Sequence, residues 1–122
     1  MMKTPVVLNL GCGRCKRSNE IGVDRDPDSA ADVRADLGYT LPFADNTAER
    51  VICRHVLEHV PDLVGLLEEI HRILVPGGRL WIEAPYFDHR DSFRDPTHCR
   101  LFTWGSFDYF VEGVQPAQYT MA

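Results

Sequence analysis

Gly11-Cys12-Gly13 directly follows the short apolar run Val6-Val7-Leu8-Asn9-Leu10, and the carboxylate of Asp24 ends the next such run, Ile21-Gly22-Val23. Glycines at the end of a buried strand let a ligand approach the backbone closely. An acid ending the neighbouring strand can accept both hydroxyls of a ribose. Together these residues describe a nucleoside site. NAD does not fit it, because the dinucleotide fingerprint wants a third glycine where Lys16 stands and an acid about 20 residues further on. Asp24 comes only eleven residues after Gly13.

Three other groups carry chemical potential. His55-Val56-Leu57-Glu58-His59 fits H-x-x-E-H, in which two histidines one helical turn apart hold zinc beside a glutamate base. That reading needs a third ligand from elsewhere and a longer helix than Pro61 allows. The segment is therefore read as the loop and first turn after a strand, with no metal. Cys12 and Cys15 form a C-x-x-C, half a metal or redox set with no second half, and the glycine turn explains Cys12 better. The stretch from Pro85 to Arg100 mixes acids, arginines, aromatics and two histidines. It predicts a substrate-facing wall with His89 or His98 as general bases. The plainer alternative is a polar loop whose charges pair with each other, with Asp95-Pro96-Thr97 as a turn. Phe102, Trp104, Phe107, Tyr109 and Phe110 predict a packed lid or core helix, and His71 an exposed position.

The elements that must position these groups follow from pattern. Val6–Leu10 and Ile21–Asp24 read as short buried strands. The seven residues Arg14 to Glu20 between them are too few for a full crossover helix. Asp32–Asp36 gives a weaker third strand, Arg50–Arg54 a fourth and Arg79–Ala84 a fifth. The helix begins at Asp62, an N-cap after Pro61, and Leu63, Leu66, Leu67, Ile70, Ile73 and Leu74 form one apolar face. Glu68 and Arg72 sit four apart in the favourable order, and Pro76-Gly77-Gly78 stops the helix. Strands alternating with crossovers predict an α/β, Rossmann-like, doubly wound and mostly parallel sheet of about five strands. Ligands of such sheets bind beyond the carboxyl ends of the strands. Gly11–Gly13, Asp24, Asp36, Arg54–His59 and Pro85–Arg90 then share one rim.

The 122 residues predict one domain, residues 1–122, of ordinary globular composition with 44% hydrophobic and 25% charged residues. A net charge of −5 argues against nucleic acid as the partner, the cluster Arg14-Cys15-Lys16-Arg17 notwithstanding. No run reaches the length of a membrane span and the first residues do not read as a signal peptide. A cytoplasmic protein with reduced thiols is expected.

Val7–Gly13 followed by Gly22-Val23-Asp24 resembles the first two motifs of class I S-adenosylmethionine-dependent methyltransferases. Leu41-Pro42-Phe43, His55–Val60 and Arg72–Leu80 continue the pattern in order, similar to the type 11 branch, over about residues 6–84. The resemblance implies S-adenosylmethionine as cofactor and a small-molecule methyl acceptor. It implies a cofactor site of Asn9, Gly11, Cys12, Gly13, Asp24, Asp36, Leu37, Cys53 and Arg54. The glycine turn would pass the methionyl end, Asp24 would hold the ribose, Asp36 and Leu37 would meet the adenine, and Cys53-Arg54-His55 would flank the sulfonium. His55, His89 or His98 would serve as base. Against the family pattern, the first crossover is short, Arg50 stands where an acid usually opens the fourth strand, and the chain stops where further strands would begin. That truncated C-terminus leaves an open sheet edge, which predicts a homodimer. It also keeps open an incomplete, non-catalytic cofactor-binding or oligomerisation module.

Overall fold

The computed structural model describes residues 4–110. Its centre is a five-stranded parallel sheet: β1 Val7–Leu10, β2 Ile21–Asp24, β3 Val33–Arg34, β4 Ala48–Arg54 and β5 Leu74–Glu83, in the order β3-β2-β1-β4-β5. The order reverses between β1 and β4, where Leu10 pairs with Val23 on one side and Cys53 on the other. This is the doubly wound arrangement the alternation predicts, with its crevice beyond the ends of β1 and β4.

Between β1 and β2 there is no helix, only turns. A buried carboxylate braces them instead. Glu20, 4% exposed, accepts from the Asn9 side-chain amide and from the Arg17 backbone N–H, both at 3.2 Å.

The long helix, α1 Leu63–Ile73, starts at Asp62, whose carboxylate accepts from Gly65 N–H at 2.9 Å. Such a cap contributes about 1 kcal/mol. Leu66, Leu67, Ile70 and Ile73 bury its apolar face, in one core with Leu8, Leu10, Val23, Val51 and Cys53.

Several local expectations are corrected. β3 shrinks to two residues and β4 starts two residues earlier than its β-branched stretch suggests. The helix ends at Ile73 and passes straight into β5, so Pro76-Gly77-Gly78 lies inside that strand's span. There the pairing skips from Ala48↔Leu74 to Arg50↔Arg79, and Gly77 takes φ +80°. Arg72 pairs with Glu69 at 2.7 Å and Asp45 at 2.8 Å, not with Glu68. The Leu41 and Phe43 carbonyls, which its guanidinium also binds, draw it to that side. His71 is exposed. Of the aromatic group, Phe102 is buried and stacks on Phe107 at 5.2 Å, but Trp104 is 90% exposed and Tyr109 and Phe110 are about half exposed. Phe102 and Phe107 pack together, and among the described residues the group forms no closed lid.

Candidate functional site

Backbone direction places the site. Each strand of the crevice ends on one rim, and the residue just past it turns across the opening. Gly11 leaves β1 at φ +69° and donates to the Val23 carbonyl at 2.7 Å. A Cβ there would stand 2.5 Å from Val56 Cγ2, so only glycine fits both the turn and the space. Gly13 N–H donates to Asp24 Oδ2 at 2.8 Å, and Asp26 N–H to Oδ1 at 2.9 Å. These bonds fix the carboxylate at the end of β2 while leaving it spare acceptor capacity. Asp36 is set in the same way by Gly38 N–H, at 2.8 Å on Oδ1. Past β4, His55 holds φ +54°, an uncommon conformation for a residue with a Cβ, and donates its N–H to the Glu83 carbonyl at 2.7 Å.

Two hollows meet at this rim. A cleft of about 620 Å³ is lined by Gly11, Asp24, Asp36, Leu37, Tyr39, His55, Val56 and His59, among others. That volume lies within the range of small-molecule sites. A second, of about 430 Å³, is lined by His55, Glu58, His59, Pro85, Asp91, Arg94, Asp95 and His98. His55 and His59 belong to both.

The second hollow exists because the loop after β5 is fastened to the 3₁₀ turn Leu57–His59. Cys99 N–H donates to the Glu58 carbonyl at 2.6 Å. The Arg100 guanidinium donates to the carbonyls of Leu57 at 2.7 Å, Pro61 at 2.9 Å and Val60. His98 is thereby carried to His59, ring centroids 4.6 Å apart. Bonds from the Thr97 hydroxyl and amide, with the nearby His98 and His59, hold the Asp95 carboxyl below the usual carboxylate range.

Of the residues expected to face a cofactor, Gly11, Asp24, Asp36 and Leu37 come together on the larger cleft. Others have different surroundings. The Asn9 amide is engaged with Glu20. Cys53 is fully buried, and burial pushes its thiol up to about 12. Cys12 lies behind the turn, its thiol raised by burial and then by the Asp24 charge. Arg54 pairs with Glu83 at 2.7 Å and lines a separate groove with Arg14, Cys15, Lys16, Arg17 and Trp81. Among the expected bases, His55 and His98 line the smaller hollow, whereas His89 caps the short helix α2, Arg90–Arg94, by accepting from Asp91 N–H at 3.1 Å. Glu58 and His59 belong to the site but not to the residues the resemblance singles out. Their signal is the H-x-x-E-H pattern, which sequence alone sets aside for want of a third ligand and of helix length before Pro61; a 3₁₀ turn carries it here.

The methyltransferase-domain family model matches residues 8–82, and the chain belongs to that family. It is 38% identical over 82 residues to the uncharacterised protein YafE of Escherichia coli K12, covering 57% of this chain and 40% of that protein. Over 115 residues it is 30% identical to a protein of Mycolicibacterium smegmatis described as a probable S-adenosylmethionine-dependent methyltransferase, covering 77% of this chain and 45% of the relative. The chain thus spans less than half the length of either curated relative. The solved structure of YcgJ from Bacillus subtilis shares the fold with a TM-score of 0.69 at 21% identity, covering 86% of this chain and 58% of that one. Among the described residues, no helix is long and apolar enough to cross a membrane.

Proposed function

We propose that this domain binds S-adenosylmethionine in the larger cleft and transfers its methyl group to a small-molecule acceptor held in the smaller one. The observation that carries the reading is the convergence of Gly11, Asp24, Asp36 and Leu37 on one cleft that shares His55 and His59 with a second hollow. The residues suit the cofactor. Gly11 keeps the turn free of a side chain, Asp24 has acceptor capacity for a ribose diol, and Asp36 with Leu37 offers an acceptor and an apolar surface to adenine. When bound, S-adenosylmethionine supplies a methyl group already activated on a sulfonium, so the protein's task is to hold two reactants in line. His55, exposed at the junction of the two hollows, is the group that would take a proton from a neutral nucleophile.

The same reading makes the protein cytoplasmic, which its four free cysteines support. It also has two copies pair along β5, the longer of the two edge strands among the described residues. A monomer mass at every concentration in sedimentation equilibrium removes that last part.

Calorimetric titration with S-adenosylmethionine and S-adenosylhomocysteine tests the cofactor site. The expected result is micromolar binding, about −8 kcal/mol, that Asp24→Ala abolishes while its circular dichroism stays native. No binding by the wild type, or equal binding by the variant, overturns the assignment.

A further inference from the structure

The acceptor pocket contains a carboxylate sealed from water with nothing bonded to it. Glu58 is 1% exposed, and neither Oε1 nor Oε2 has a hydrogen-bond partner. Its ionic neighbour, His55 Nδ1, stands 3.9 Å away, beyond hydrogen-bond reach. A buried carboxylate is costly unless a cation or donors meet it. One carboxylate oxygen of Glu58 and one ring nitrogen each of His59 and His98 lie within 4.8 Å of one another. The two rings stand nearly perpendicular, at 77°.

Hydrogen bonding decides which nitrogens are free. The Thr97 hydroxyl donates to Asp95 Oδ1 at 2.6 Å and so accepts from His59 Nδ1 at 2.9 Å. The His59 proton is then on Nδ1, and Nε2 keeps its lone pair. His98 Nε2 faces Asp95 Oδ2 at 3.7 Å, while its Nδ1 is buried without a partner. Asp95 thus stands behind both imidazoles, at ion-pair distance from His98 and through the Thr97 hydroxyl for His59, the side from which outer carboxylates support metal-bound histidines.

We propose that Glu58, His59 and His98 bind a divalent transition-metal ion on the acceptor side of the cofactor cleft, with Asp95 as the positioning residue for both histidines. Two imidazoles and one carboxylate suit zinc, cobalt, nickel or iron(II) better than magnesium or calcium. Three protein ligands leave coordination positions open toward the pocket. Resting on the methyl-transfer reading, those positions select an oxygen acceptor. The ion would hold the acceptor hydroxyl, whose proton would pass to His55 as the O–CH₃ bond forms and the S–CH₃ bond breaks, leaving a neutral thioether. Of the H-x-x-E-H pattern, His59 remains a ligand, Glu58 is a ligand rather than the base, His98 completes the set, and His55 stands outside it.

Protein freed of metal by chelator dialysis is titrated with CoCl₂ by visible absorption and with ZnCl₂ by calorimetry. One ion per chain is expected. His98→Ala and Glu58→Gln each abolish saturable binding, Asp95→Asn weakens it roughly 10- to 100-fold, and His71→Ala on the exposed side of α1 leaves it unchanged. Circular dichroism separates lost ligands from lost fold; should Glu58→Gln unfold, His98→Ala decides. Acetohydroxamate, a bidentate oxygen donor, shifts the cobalt bands of the wild type. No saturable binding by the wild type, or binding that survives His98→Ala and Glu58→Gln, overturns the site, and unshifted bands overturn its open positions. S-adenosylhomocysteine calorimetry on the metal-free protein reads the cofactor cleft separately, so failure of either reading is distinguishable from failure of the other.

Discussion

Gly11 and Gly13 both hold positive φ, +69° and +56°, yet their surroundings differ, and substituting each by alanine separates two physical effects. A left-handed conformation costs a residue with a Cβ roughly 1–2 kcal/mol. At Gly13 that is the whole expected cost, because an added Cβ meets nothing within 4 Å. At Gly11 the same Cβ stands 2.5 Å from Val56 Cγ2. Val56 is 8% exposed and packed in the core, so it has little room to retreat. Overpacking of this kind adds roughly 1–3 kcal/mol. Gly11→Ala is therefore expected to destabilise by about 2–5 kcal/mol and Gly13→Ala by about 1–2. With a urea slope of about 2 kcal/mol/M, the difference separates the unfolding midpoints by roughly 0.5–1.5 M. Val56→Ala removes the clashing methyl and leaves its own Cβ at 3.6 Å, an ordinary contact. In the Gly11→Ala background it should be coupled favourably by about 1–3 kcal/mol. Coincident midpoints for the two glycine variants, or strict additivity with Val56→Ala, would refute the reasoning.

Two other expectations concern the thiols and the loop around Arg72. Cys15 and Cys99 are exposed while Cys12 and Cys53 are buried with raised thiols, so a chromogenic disulfide should titrate two thiols rapidly in native protein and four in denaturant; fast reaction of Cys53 would contradict its burial. The Arg72 side chain, then the Leu41 N–H, hold the Glu69 carboxyl below its ordinary value of 4.5. A depressed folded value gives stability that is fully present above pH 4.5 and is lost as pH falls from there through the lower folded value, so the stability gap between wild type and Glu69→Gln should narrow below pH 4.5, as read from urea midpoints at pH 7, 4.5 and 3. A constant gap would contradict the bond.

The sheet was legible because its signals are local. A β-branched run ending in Gly11-Cys12-Gly13, an acid closing Ile21–Asp24 and a capped apolar helix face from Asp62 each declare their role within a few residues. What was not legible depends on distant groups. Arg72 takes Glu69 over Glu68 because the Leu41 and Phe43 carbonyls pull it there. Asn9 reads as part of a ligand turn, but buried Glu20 claims its amide. The strand-like pairing of Leu74 with Ala48 places the helix end before the glycines rather than at them. The His98–Glu58–His59 cluster depends on a contact across 40 residues, made by Cys99 and Arg100 on the carbonyls of the 3₁₀ turn. Nothing in H-x-x-E-H alone shows where such a partner would come from.

The assignment of the larger cleft is tested most directly by a crystal structure of the complex with S-adenosylhomocysteine. The ribose hydroxyls are expected on the Asp24 carboxylate, the adenine between Asp36 and Leu37, and the sulfur beside His55, facing the pocket of Glu58 and His98. A ligand bound elsewhere, such as in the groove of Arg14, Lys16 and Arg54, or an adenine directed away from Asp36, would contradict it.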